Sequence, residues 1–211
     1  MYYANMTDIQ QDGRARRQQD IFDLNRTKLI DTAVDVINEV GDIREVTLTQ
    51  IAKEAGVSPA TAYNHFPDRM EDVFSAIVHS RMDVAANMGA TLADESLSVI
   101  EKLKQIPVTY AENLVSLGYA GKVIVVQMFN LVNVDKWLDQ DPVQAITALL
   151  SNSEQYQDRA DEIAVNVATA FRGAMFEYAL NIGDHELFNR YSEEFFLETS
   201  ENLVENILKQ Y

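Results

Sequence analysis

Val46 to Arg69, VTLTQIAKEAGVSPATAYNHFPDR, is the stretch whose reading decides the fold. Thr47 is a good N-cap, because its hydroxyl accepts from an orphan N–H of a first helical turn. Leu48, Ile51, Ala52 and Ala55 then recur at helical spacing, so one face is apolar. Gly56 follows at once, where a helix end favours a left-handed residue. Val57 plugs the corner. Ser58 caps again, and Pro59 stands at the first helical position, where its missing N–H costs nothing. Ala60 to Phe66 makes a second short helix, which Pro67 cannot continue. Two short helices joined by a three- to four-residue turn containing Gly form a helix-turn-helix, whose second helix reads the DNA major groove.

Outward from this stretch, Leu24 to Val40 carries Leu29, Ile30, Ala33, Val34, Ile37 and Val40 on one stripe and ends at Gly41. The periodicity predicts a first helix there. Arg26 to Phe74 as a whole resembles the N-terminal domain of the Tet-repressor-like (TetR) family of bacterial regulators. The residues that carry the resemblance are Arg26, Leu29, Ile30, Ala33, Gly41, Thr47, Ile51, Ala52, Ala55-Gly56-Val57-Ser58, Thr61, Tyr63, His65 and Phe66. Two positions depart from the family pattern. Ala62 stands where a larger aliphatic is common, and Arg69 where Lys is usual.

The chain as a whole reads as all-α, a tally of eight to ten helices with no partnered strand. Residues 1–22 are expected as a flexible N-terminal arm, 23–70 as the DNA-binding domain, and 71–211 as a C-terminal bundle that binds an effector and dimerises. The resemblance places Thr47, Ser58, Tyr63, His65 and Arg69 on the phosphate backbone. It gives base edges to Thr49, Gln50, Pro59, Ala60, Thr61 and Asn64. The chemistry agrees: each of the first group has a donor for a phosphate oxygen. Gln50 and Asn64 suit adenine, while Thr, Ala and Pro suit a thymine methyl. A structural role competes at Tyr63 and Phe66, which are also core formers.

The whole chain has 17 Lys+Arg against 33 Asp+Glu, a formal charge of −16. That opposes DNA binding at first sight, since phosphate contacts need cations. Residues 1–75 hold eight basic and thirteen acidic side chains, so the reading head is less acidic but not basic. No charged residue occurs from Ser58 to Phe66. Phosphate contacts are therefore expected to be few and made largely by neutral donors and helix N-termini. The polar tail of residues 1 to about 22 has two readings. It is a solvated chain, or Arg14, Arg16 and Arg17 reach into the minor groove as arms do elsewhere.

With no cysteine, disulfides, thiolate metal sites and thiol nucleophiles are excluded. The first twenty residues lack an apolar signal-peptide core, and no run approaches eighteen apolar residues. The reading is a cytoplasmic protein, on the nucleoid when bound to an operator. His65, His79 and His185 lie in separate segments, and no catalytic or phosphate-cradling motif is present. Neither enzyme activity nor a cofactor or metal is expected.

Downstream, Asp68 with Glu71 predicts a capped fourth helix running to about Met88, then a loop over 89–95, and Ser96 as the next cap. Pro107 should kink or interrupt the helix that follows. Lys122 to Asn130 has strand propensity but no partner strand, so it reads as helix. Pro142 to Leu150 starts another. Gln157 to Ile182 is apolar nearly all round, the pattern of a helix buried on several sides. Glu186 to Tyr211 carries a broad stripe including Leu187, Phe188, Tyr191, Phe195, Leu203 and Ile207. The resemblance implies that these last two helices pair with a second copy as a four-helix bundle.

For an effector, Tyr110, Met128, Phe129, Trp137, Met175 and Phe176 are candidates to line an apolar pocket, against the plainer reading of each as core. Arg172 interrupts the run AVNVATAFRGAMF. A buried guanidinium needs a partner, either a protein carboxylate such as Glu162 or Glu177, or a carboxylate on the ligand. The chain thus reads as a dimeric repressor of a pseudo-palindromic operator, released by a small molecule. The rivals are a DNA-organising or cell-division protein of the same fold without a ligand, and an all-α enzyme.

Overall fold

A computed structural model describes residues 6–81, 84–128, 142–181 and 192–211. Ten α-helices and no strand occur among them. The chain divides into two compact units, Met1–Val73 and Phe74–Tyr211.

In the first unit, α1 (Met6–Val40), α2 (Leu48–Glu54) and α3 (Pro59–His65) pack against one another. Leu29, Ala33 and Ile37 of α1 are fully enclosed with Ile51 and Ala52 of α2 and with Ala62 and Phe66. Ala62 has no exposure, so the small side chain is matched by close approach. α1 differs from expectation. It is one helix from Met6, eighteen residues before Leu24, where the sequence predicts the first helix to begin. The expected flexible arm is thus helical from its sixth residue. Arg, Ala and Gln make up Arg14 to Gln19 and are strong helix formers. Once the stripe at Leu29 to Ile37 has nucleated the helix, adding upstream turns is cheap. Gly41, at φ 67°, ends it.

α4 (Met70–Arg81) begins after Arg69, and the boundary between the units falls within it. Just ahead of it, the Asp68 N–H donates to the Asp72 carboxylate at 2.7 Å. α5 (Val84–Ala93) runs through the expected loop. The turn comes later, because Asp94 accepts from both the N–H and the hydroxyl of Ser96 at 2.8 and 2.7 Å. Ser96 is therefore spent in the turn, and Ser98 caps α6 (Val99–Ser116) in a reciprocal capping box with Glu101. Pro107 lies inside α6 without interrupting it. It is buried beside Leu103, Ile106, Tyr110 and Leu114, whose burial outweighs one lost backbone bond.

α7 (Tyr119–Met128) approaches α6 closely through Gly121, where a Cβ would stand 2.1 Å from the Leu114 carbonyl oxygen. α8 (Pro142–Leu150) and α9 (Ala160–Leu180) follow, and α10 (Glu193–Leu208) starts at its N-cap Ser192. α10 packs on both α6 and α9, and α9 also packs on α7 and α8. Stacked rings of Phe171, Phe196 and Tyr178 tie α9 to α10, with Tyr178 and Phe196 centroids 4.6 Å apart. Leu187, Phe188, Tyr191 and His185 fall outside the described residues.

α9 is not buried all round. Ile163, Val167, Phe171, Met175 and Tyr178 face inward, whereas Asn166, Thr169, Gly173, Phe176 and Leu180 form an exposed stripe. No helix among the described residues is long and apolar enough to cross a membrane.

Candidate DNA-reading surface

The helix-turn-helix is built by its caps. The Thr47 hydroxyl accepts from the Gln50 N–H at 3.2 Å, and the Ser58 hydroxyl accepts from the Thr61 N–H at 3.0 Å. Ser58 Oγ and Thr61 Oγ1 also share a bond of 2.8 Å, which consumes one of their two hydroxyl protons and leaves one to donate outward. Gly56 takes the left-handed φ of 67° that turns the chain between α2 and α3. The Lys28 ammonium stands 3.6 Å from where a Gly56 Cβ would be, so α1 lies against this turn.

Thr47, Thr49, Ser58, Pro59, Ala60, Tyr63, Asn64 and Arg69 are exposed, with Gln50 and Thr61 half-buried. Thr49 and Tyr63 hydroxyls lie 3.4 Å apart, so the two helices bring their polar tips together. The Arg69 guanidinium lies 6.0 Å from the Tyr63 ring centroid. Arg69 itself adopts φ 59°, a left-handed conformation uncommon for a residue with a Cβ. One cation and one phenol hydroxyl thus sit side by side at the C-terminal end of α3.

His65 departs from the other ten. It is 6% exposed, and its Nδ1 is buried with no hydrogen-bond partner among the described residues. The Phe22 ring covers it at a centroid distance of 4.0 Å. Burial pushes its pKa below the ordinary histidine value, and the nearby Arg26 charge adds to this against an opposing effect of Asp23. Neutral and enclosed, His65 is poorly placed to donate to a phosphate in this conformation; it packs the end of α3 against α1.

Three supporting residues are not among the expected site residues. Arg26 Nη1 donates to the His65 carbonyl at 3.1 Å, and its guanidinium lies 4.9 Å from the Phe66 ring centroid. It satisfies a carbonyl at the end of α3, where orphan acceptors occur. Phe22 and Lys28 hold the two ends of the same crossing. The legible signal is period: Phe22, Arg26, Leu29 and Ala33 share one helical face.

Among the described residues, the effector candidates do not share one face. Tyr110 and Met175 are buried, and the Tyr110 ring lies 6.0 Å from Phe171 in the core of the second unit. Met128 is half-buried. Phe176 is 44% exposed on the outward stripe of α9, so it does not join Tyr110 and Met175. The reason is angular: neighbouring helical positions point about 100° apart. Phe129 and Trp137 lie outside the described residues. Arg172 is half-buried rather than buried, at the edge of the exposed stripe. Glu162 is bound by Arg159, three residues before it, at 2.9 Å.

Comparison with known proteins agrees with this geometry. Residues 29–77 match the family described as bacterial regulatory proteins, tetR family. The HTH-type transcriptional regulator BetI of Brucella anthropi is 35% identical over 69 residues, which cover 33% of this chain and 35% of that protein. BetI of Klebsiella pneumoniae is 36% identical over 78 residues, 36% of this chain and 40% of the relative. The chain thus matches little more than a third of the length of these curated relatives. A solved structure of a SmeT–triclosan complex has the same fold, with a TM-score of 0.53 and 15% identity over 84% of this chain and 90% of that one. Residues 29–77 thus form an N-terminal domain of the kind found in the tetR family of bacterial regulatory proteins, and the solved structure shares the helical fold along most of the chain.

Proposed function

We propose that the chain is a transcriptional repressor that binds a pseudo-palindromic operator as a homodimer and is released by a small-molecule effector. The observation that carries the reading is the exposed, uncharged face of α3, Pro59, Ala60, Tyr63 and Asn64, presented by a doubly capped helix-turn-helix. In this reading Asn64 and Gln50 select adenine at base edges, and Tyr63, Arg69, Thr47 and Ser58 hold phosphates. The relatives named as HTH-type transcriptional regulators support it.

Dimerisation rests on two features of the second unit. The outward stripe of α9 steps by three and four residues through Asn166, Thr169, Gly173, Phe176 and Leu180, the spacing of a helix-pairing seam. Beside it, an open groove between α9 and α10 is lined by Ala170, Phe195, Thr199, Asn202 and Leu203. The short side chain of Thr169 and the bare Gly173 at the centre of the stripe allow a second helix to come close. An effector site within the second unit is suggested by the triclosan complex of the structural neighbour. Effector binding would shift a population between head spacings that do and do not match half-sites one helical turn apart.

The test is selection of DNA from a random pool by the purified protein. The expected product is an inverted repeat, with adenine preference that Asn64→Ala relaxes. Recovery of no common sequence, with binding indifferent to Asn64, would favour a DNA-organising protein instead.

A further inference from the structure

α1 overshoots the reading head. Its contacts with α3 begin at Phe22 and Arg26, yet the helix starts at Met6. The overshoot carries Gly13-Arg-Ala-Arg-Arg17, and Arg14, Arg16 and Arg17 are all exposed and make no ion pair among the described residues. From Gly13 to Lys28 the chain holds five basic side chains and two acidic ones, in a protein of net charge −16. This cationic segment is tied to α3: the Phe22 ring lies tilted over His65, Arg26 holds the His65 carbonyl, and Lys28 lies against Gly56.

We propose that the N-terminal overshoot of α1 is a rigid helical strut that grips the phosphate backbone of DNA flanking the half-site, through Arg14 and Arg17. The proposal rests on the operator-binding reading and adds a contact outside the recognised bases. At a rise of about 1.5 Å per residue, Arg14 lies about 12 Å along the axis beyond Phe22, a distance of three to four base pairs. At about 100° per residue, Arg14 and Arg17 share a face with Ile21, Asn25 and Lys28, and Lys28 approaches the turn that leads into α3. Arg16 projects from another side, one turn before Asp20. A helix about 10–12 Å across does not enter a minor groove about 6 Å wide. Backbone contact, rather than minor-groove insertion, is therefore the mode this shape permits. It supplies the cations that α3 lacks.

The probe is a duplex selected by the protein from a random pool, synthesised once trimmed to the recognised repeat and once lengthened by about one helical turn (about 10 base pairs) on each side. Affinity is measured by fluorescence anisotropy over a salt series. The wild type should bind the long duplex more tightly and with a steeper salt dependence. In Arg14→Ala/Arg17→Ala the slope on the long duplex should shrink by about 3.6, four phosphates per dimer at about 0.9 each, while the trimmed duplex is bound as before. Arg16→Ala should lose clearly less. Gln18→Pro keeps every charge but breaks the helix ahead of Phe22, and should behave like the double variant. Equal loss on both duplexes, no loss on either, an equal effect of Arg16→Ala, or wild-type behaviour of Gln18→Pro would each overturn the strut. Failure of the wild type to bind any selected duplex would instead remove the operator-binding reading on which the strut depends.

Discussion

At the scale of the residue, His65 shows how a single side chain serves the head by being dry. Phe22 covers it, burial holds it neutral, and the Arg26 charge works in the same direction. The unfolded chain therefore binds more protons than the folded head once pH drops below the ordinary histidine value of about 6.5. Stability should rise with pH through that window. Thermal melts of wild type and His65→Gln from pH 8 to pH 5 isolate the effect of this one residue. The wild type should lose ground on acidification and the difference between the two should narrow; parallel curves would show that His65 does not titrate with folding. Tyr63, Arg69 and Asn64 make a second contrast. Tyr63→Ala and Arg69→Ala should weaken binding about equally on all sequences, whereas Asn64→Ala should lose roughly 1–3 kcal/mol of discrimination at particular base pairs. Competition binding against mutated operators separates the two behaviours.

The element scale is governed by how closely helices approach. α6 and α7 touch through Gly121, whose absent Cβ would meet the backbone oxygen of Leu114 rather than a yielding side chain. Gly121→Ala should therefore cost about 1–3 kcal/mol or more, as overpacking does. Gly173, in the middle of α9, meets nothing within 4 Å. In the single chain Gly173→Ala should be neutral or slightly stabilising, since Ala is the better helix former. Chemical denaturation of both variants at a concentration low enough to dissociate any dimer gives the comparison. The cap of α6 is a third case: Ser98→Ala removes the hydroxyl that accepts from the Glu101 N–H and should cost about 0.5–2 kcal/mol. Ser96→Ala should cost less, because its bonds to Asp94 close a turn rather than a helix.

For the whole molecule, the proposed assembly predicts that function and oligomeric state fail together. Leu203 is 6% exposed in the single chain, so charging it would damage the fold and say little about a dimer. Phe195 is 46% exposed and lines the open groove, which makes Phe195→Glu the cleaner variant. It should keep its helical content, sediment as a monomer at micromolar concentration, and lose operator binding. A dimeric Phe195→Glu protein would place the interface elsewhere. With an acidic chain and an uncharged recognition helix, the slope of log K against log salt should be no steeper than about −6. More than half of it should come from the two struts.

The sequence by itself determined the reading head and much of the helix order. Thr47, Gly56, Ser58 and Pro59 act through their own backbones within a few residues, so their meaning survives without tertiary information. The exposed polar face of α3 followed from the same period. Tertiary structure decided what depended on distant neighbours. The motif around His65 suggests a phosphate contact, and only the crossing of α1 shows that Phe22 covers this side chain. Phe176 and Met175 are both apolar, and only packing against neighbouring helices shows that one faces in and the other out. Ser96 and Ser98 are equivalent candidates by composition; Asp94 and Glu101, each claiming one hydroxyl, settled the start of α6. The helix at Arg14 to Gln19 has propensity but no apolar stripe of its own, so its continuity is borrowed from the buried turns of α1 downstream.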